Sequence, residues 1–461
     1  MAALIGSCLS LALPAHANGP HAEVIWGPFA SGTEVTQTCL MCHDQQGEDF
    51  LHSAHWTWSS SQTVNGKTVQ RGKKDVINNY CISAGAGNQA SCSRCHAGYG
   101  WTDNQFDFAD SDHIDCLVCH DTTGTYVKAG DNGGQPLAKV NLERVAQQVG
   151  MPNRDNCGAC HFFGGGGDGV KHGDLDSSMS YPDKATDVHM DVDGNDMNCQ
   201  QCHRTEQHQI GGHSLGVSPM GSNHISCTDC HDSAPHQKKQ LNQHLASVAC
   251  QTCHIPQVAK NEPTKMSWDW STAGQDRTDV SKQFGKKTFL KKKGDFEWGK
   301  NITPEYAWYN GQAGAYQIGD KIDASTVTKL TYPLGDISDK HAKIYPFKVH
   351  RGKQIYDSKQ NILLTPKTTG DDGYWHTFDW ASAARLGMEQ NASMQALQLS
   401  FSGSYGFAET EMWWRLNHMV SPKEHALGCM DCHGNKGRMP WQQLGYPADP
   451  MRNKAAQALR D

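Results

Sequence analysis

The chain has 461 residues, a formal charge of −7, 46 glycines and only 37% hydrophobic residues. So little apolar material excludes a large interior filled by side chains alone, and the absence of a long basic block excludes an ordinary nucleic-acid surface. Eighteen cysteines indicate what else fills the interior.

The first residues, "MAALIGSCLSLALPAHA", form a short apolar run ending in the small-x-small pattern Ala15-His16-Ala17. They read as an export leader, 1–17, without a positive n-region, and Cys8 falls inside its apolar run. No other stretch approaches the length of a membrane span, about 18 apolar residues. From residue 39 onward CxxCH occurs eight times: Cys39, Cys42 and His43; Cys92, Cys95 and His96; Cys116, Cys119 and His120; Cys157, Cys160 and His161; Cys199, Cys202 and His203; Cys227, Cys230 and His231; Cys250, Cys253 and His254; Cys429, Cys432 and His433. This is the spacing of c-type haem attachment, in which two thiols form thioethers and the adjacent His takes one axial position on the iron. A zinc reading would leave the fifth-position His unexplained. The expectation is eight covalent haem c groups. Their propionates make the loaded protein more acidic than its formal charge.

The motifs divide the chain into the leader (1–17), a haem-dense region with seven motifs (18–260), a haem-free insert (261–375) and a C-terminal segment with the last haem (376–461). The motif recurs without a fixed period, which excludes a solenoid. Within the haem-dense region, "NLERVAQQVG" predicts a helix: Leu142, Val145 and Val149 are helically spaced, Asn141 is a cap, and Gly150-Met151-Pro152 is a stop. The insert, with "FEWGKNITPEYAWYNGQ", reads as loops and short strands. Its lysines Lys286, Lys287, Lys291, Lys292 and Lys293 read as a solvated face or docking patch. In the last segment "ETEMWWRLNHM" predicts a helix with Met412, Leu416 and Met419 on one face and His418 beside them. The fold class expected is mainly α, with sparse secondary structure wrapped around a close-packed haem array.

Of 25 histidines, eight belong to motifs and His16 to the leader. The rest are ample for every distal position, so a count does not show that any haem lacks a second imidazole. Candidate distal ligands are His52, His55, His113, His189, His213, His224, His236, His244, His418 and His425; His208 also follows a motif closely. Which His serves which haem stays open. Cys81 is the one cysteine of the mature chain outside a motif. It reads either as a small buried hydrophobe or as a thiol beside a reactive haem. Lys171 follows the run Gly164 to Gly167. It reads either as solvated or as an iron ligand, which requires a neutral amine.

Eight CxxCH motifs, a lone Cys81 before the second, and "HFFGGGGDGVKHGDLD" with "DVHM" between the fourth and fifth resemble the octahaem tetrathionate reductase family of periplasmic cytochromes. The resemblance spans essentially the whole mature chain. It implies seven bis-His haems and a catalytic haem at the second motif. That haem would have His96 proximal, the Lys171 amine distal, and Asp168, Asn78 and Cys81 in its pocket. It also implies reduction of tetrathionate to thiosulfate in the periplasm, with a quinol-linked periplasmic or membrane-anchored cytochrome as electron donor and neither nucleic acid nor a membrane span involved. Two alternatives remain. One is reduction of nitrite or hydroxylamine, small nitrogen-oxide substrates, at the same haem; the CxxCK of many nitrite-reducing relatives is missing here. The other is a non-catalytic electron-transfer cytochrome with eight bis-His haems.

Overall fold

The computed structural model describes residues 21–64, 66–216 and 225–459. The leader at 1–17 and the candidate ligand His224 lie outside them.

The expectation of a mainly α fold is overturned. Helix makes up 24% of the chain and strand 20%, and a nine-stranded mixed sheet organises the C-terminal half. The sheet is built on one long strand, Lys343–Asp357. It pairs antiparallel with Tyr405–Arg415, from Phe347↔Arg415 to Asp357↔Tyr405. On its other side it runs parallel to Thr264–Asp269, which pairs antiparallel with Gly294–Gly299. Tyr405–Arg415 covers most of the segment expected to be helical. Its buried residues are Ala408, Thr410, Met412 and Trp414, a period of two, while Glu409 and Glu411 alternate with them. Several aromatic residues there favour a pleated surface over a helix.

The haem-dense region has little regular structure. Helices at its motifs are a turn or two long, such as Leu117–His120, Cys199–Cys202 and Cys250–His254. Helices of this length are unstable alone, and packing must hold them. Side-chain caps help to hold several helices of this region. Asn141 accepts from the Arg144 amide at the start of the expected helix Leu142–Gln147, and Asn153 forms a capping box on Arg154–His161.

One face of the long strand carries the Asn78–Ile82 turn. Asn79 Nδ2 donates to the His350 carbonyl at 2.8 Å, His350 Nδ1 donates to Asn79 Oδ1 at 2.9 Å, and Gln354 Nε2 donates to the Asn78 carbonyl at 3.0 Å. The Tyr80 ring stacks on His350 at 4.0 Å. A Cβ on Gly352 would stand 2.8 Å from the Asn79 Cβ, so glycine is needed for this approach. Residues i, i+2 and i+4 of a strand share a face. Lys348, two residues before His350, therefore points the same way. Its ammonium donates to the carbonyls of Val170 and Lys171, at 2.9 Å each. Two segments 90 residues apart are thus fixed on one sheet face.

Candidate active site

An imidazole nitrogen sits about 2.0–2.1 Å from a bound metal and its ring centre about 1.1 Å farther, so two rings on opposite sides of one ion have centres about 6.3 Å apart. Seven of the eight motif histidines face a second imidazole at this spacing. The pairs are His43 with His21 at 6.1 Å and His120 with His208 at 6.5 Å; His161 with His55 at 6.1 Å and His203 with His418 at 6.2 Å; His231 with His189 and His254 with His236, both at 6.1 Å; and His433 with His244 at 6.3 Å. Several rings are oriented from behind. Nδ1 of His120 donates to the Gly150 carbonyl and that of His203 to the Gly211 carbonyl, both at 2.8 Å. Nδ1 of His433 donates to Asp449 at 2.6 Å, and that of His244 to the Gln240 carbonyl at 2.7 Å. A ring that donates through Nδ1 presents the Nε2 lone pair to a metal. These donor sets fit axial ligation of haem iron.

One member of these pairs escapes a rule based on distance from a motif. His21 precedes the first motif by 18 residues. His208 occupies a two-residue hairpin turn between Thr205–Glu206 and Gln209–Ile210. Gln207 and His208 there have φ of 47° and 58°, the left-handed backbone that a tight hairpin requires and that Asn or Gly adopts more readily. Such an unfavourable residue in the turn is a signal that sequence reading could use. Other candidates lie elsewhere. His52 is exposed beside Glu48, His113 Nδ1 is 2.9 Å from Asp110, and His213 meets Tyr309 and Arg415. His425 closes the short helix Lys423–His425.

Among the described residues, no imidazole faces His96. Its ring is enclosed by Trp56, Trp58 and Trp101, with centres 5.0–5.4 Å away. Nε2 donates to the Trp56 carbonyl at 2.6 Å, a bond the ring must release to bind iron through that atom. Burial, opposed by that hydrogen bond and reinforced by Lys128, Lys73 and Lys74, brings its pKa down to about 3. The ring is therefore neutral, as a metal ligand must be.

Lys171 and Cys81 gather beside this motif. Lys171 lies within electrostatic reach of Cys81 and Cys95, and Cys81 within reach of Cys92. The Lys171 ammonium stands 4.8 Å from the Trp414 ring centre. Burial, then the charge of Lys73, lowers its pKa to about 8, which brings the neutral amine within reach. Its backbone is clamped twice: Lys348 and the Tyr80 hydroxyl both donate to the Lys171 carbonyl, Tyr80 at 3.0 Å. Asn78 builds the turn that presents Cys81, its Oδ1 accepting from the amides of Tyr80 and Cys81 at 2.9 Å each. Asp168 is instead tied to Ser177, accepting from its amide at 2.8 Å. The glycine run makes room for side chains. A Cβ on Gly164 would stand 3.3 Å from the Lys171 stem, one on Gly165 3.1 Å from Tyr80, and one on Gly166 3.2 Å from the Lys293 ammonium. Gly165 and Gly166 have φ of 79° and 95°, which glycine adopts without strain.

Thiols of different motifs also meet: Cys39 with Cys116, Cys95 with Cys160, Cys157 with Cys199, and Cys227 with Cys250. Electrostatic contacts of Cys119 with Cys157, Cys202 with Cys230, and Cys253 with Cys429 complete the series. All eight attachment sites form one contiguous set, and the second joins it at the fourth.

Repeated CxxCH motifs with paired imidazoles define a multihaem c-type cytochrome. Among the described residues, no helix is long and apolar enough to cross a membrane. The families described as "Cytochrome c bacterial" and "Cytochrome c554 and c-prime" match residues 265–436 and 38–121. A crystal structure of octaheme cytochrome c from Shewanella oneidensis is 60% identical, with a TM-score of 0.91, covering 95% of this chain and 98% of that one. An uncharacterized protein of Archaeoglobus fulgidus is 28% identical over 231 residues, which is 40% of this chain and 77% of its own length. The chain belongs to the octahaem c-type cytochromes, and covalently bound haem c is its cofactor.

Proposed function

We propose that this protein is an exported, periplasmic octahaem reductase whose substrate site lies at His96, Lys171 and Cys81, and that its substrate is tetrathionate. The observation that carries the reading is the exception among the motif histidines. Seven face an imidazole, whereas among the described residues the eighth has Lys171 and Cys81 near its motif instead. The paired histidines would hold the iron of seven bis-His haems, and His96 with Lys171 that of the eighth.

When bound, haem c would supply one-electron transfer, and His96 and Lys171 would hold the iron of the group attached at Cys92 and Cys95. The remaining functions belong to the chain. Lys348 and Tyr80 hold the Lys171 backbone, so only its side chain needs to move aside. Once displaced and protonated, Lys171 attracts an anion. Cys81 is read as the thiol that meets a sulfur–sulfur bond, the partner with which thiolates exchange. Tetrathionate takes up two electrons, its central S–S bond breaks, and two thiosulfates leave; charge balances without a proton. The electrons come from a quinol-linked cytochrome. Asp168 and Asn78 are read as pocket residues acting through the loops they fix.

A reduced-viologen assay over tetrathionate, nitrite and hydroxylamine tests the reading. Tetrathionate turnover that collapses in Cys81→Ser, with hydroxylamine turnover less affected, is the expected result. Eight low-spin bis-imidazole signatures unperturbed by any substrate or cyanide would overturn it in favour of a non-catalytic electron carrier. Turnover of nitrite or hydroxylamine alone would move the substrate and keep the site.

A further inference from the structure

Lys265 is 4% exposed on the strand Thr264–Asp269. Its ammonium lies 3.9 Å from the centre of Trp268, 3.4 Å from that of Phe296 and 5.1 Å from that of Trp298. Among the described residues, it has no carboxylate or hydrogen-bond partner. Lys293 departs from the lysine run around it. Lys286 pairs with Glu262 and Lys291 with Asp276, but Lys293 turns inward. Its ammonium lies 5.6 Å from Trp268 and 5.2 Å from Trp375, against Gly166. Drawing an ammonium toward aromatic rings without a counter-charge is costly, and the aromatic faces offset only part of that cost.

The two lysines form half of a larger arrangement. Lys265 and Lys293 act on one another electrostatically, as do Lys171 and Lys73, and Cys81 is within reach of both Lys265 and Lys171. One thiol is thus within electrostatic reach of one lysine from each pair. The neighbouring rings are aromatic, Trp268 packing edge-on against Tyr80 at 6.4 Å. Small monoanions and neutral molecules need only one end of such a site. A long dianion with a charge at each end uses both.

We propose that Lys265 and Lys293 bind one anionic end of an elongated sulfur-oxyanion dianion, whose other end meets Lys171 and Lys73 and whose sulfur–sulfur bonds lie against Cys81. This rests on the reading of the His96, Lys171 and Cys81 site as the substrate site and adds the residues that select a two-ended substrate.

Dithionate, an S–S dianion with a sulfonate at each end, is the probe. Calorimetric titration into the oxidised holoprotein is expected to show binding that weakens about tenfold in Lys265→Met and in Lys293→Met, as expected when one side of a buried charge contact is lost. Methionine keeps the apolar stem against the rings. In the wild type, dithionate is expected to protect Lys265 and Lys293 from amine acylation, read by mass spectrometry, a measurement that needs no variant to fold. KM for tetrathionate rises in step with the loss of binding, while KM for hydroxylamine stays within about twofold. Absence of dithionate binding to the wild type, unchanged binding in both variants, or an equal rise in KM for hydroxylamine overturns the proposal. If tetrathionate turns over normally while dithionate ignores these lysines, this inference alone fails. If dithionate binds through them and no tetrathionate is reduced, the activity reading fails and the anion site stands.

Discussion

The region from residue 21 to 260 and the sheet that follows are packed by different means. Buried side chains in the first gather into small groups, such as Phe50, Trp56, Ala97 and Ile114, or Ile25, Val35, Leu117 and Val145. The sheet carries one large core that includes Trp268, Trp270, Leu363, Trp380 and Met412. Small groups separated by CxxCH thiols are what remains when porphyrin supplies much of the apolar volume. The large core is made by the chain itself. The candidate site lies where the two meet: Ile77, Tyr80, Ile82 and Val170 belong to the haem-dense region by sequence and to the sheet core by packing. The segments of the candidate site are therefore fixed by the part of the molecule that has the large side-chain core.

Haem-free protein breaks the contrast most severely. Hydrogen exchange is expected to show the region around the first seven motifs losing nearly all protection, while Lys343–Asp357 and Tyr405–Arg415 keep theirs longest. Equal loss in both regions would show that the sheet, too, depends on haem. Next in size is Trp268→Ala, which should cost about 3–5 kcal/mol by emptying a fully buried site, measured by denaturant unfolding of the loaded protein. Lys348→Met has a smaller effect on stability, about 1–3 kcal/mol, because the carbonyls of Val170 and Lys171 lose their donor. Its informative readout is optical: one haem signature should shift and seven stay fixed. A shift in none would mean that the sheet does not position Lys171. The smallest effect is a pH profile. Burial, with Lys293 adding to it and Cys81 opposing, brings the Lys265 pKa down to about 6. A bound dianion restores that proton, so dithionate affinity should be greatest below pH 6 and fall toward pH 8. The other charged groups gathered there are Lys293, Lys171 and Lys73, and Lys265→Met should flatten the profile.

Sequence pattern revealed the chemistry better than the architecture. CxxCH is local, so eight attachment sites were legible from spacing alone. The alternation of Ala408, Thr410, Met412 and Trp414 was also present, but Met412, Leu416 and Met419 fit a helical period equally well over so short a window. Strand pairing with Phe347 to Asp357 decided between them. The glycine run, Lys171 and Cys81 stood out as unusual residues, and resemblance to a family gave them roles. Lys293 was hidden in a run of lysines whose members differ only in which way each side chain turns.

Covalent chemistry and residue type, which need no folded context, were therefore settled by the sequence: thiols at haem spacing, an imidazole beside each pair, a surplus of histidines and, beyond the apolar leader-like run, a single thiol outside the motifs. Tertiary structure alone decided which imidazole faces which. His203 meets His418 across 215 residues, and His21 meets His43 from the start of the described chain. It also brought Lys171 and Lys265, from separate parts of the chain, within electrostatic reach of Cys81. The physical reason is that facing side chains and pooled charge depend on distance in space, and a sheet that brings Lys348 onto Lys171 sets that distance without regard to separation along the chain.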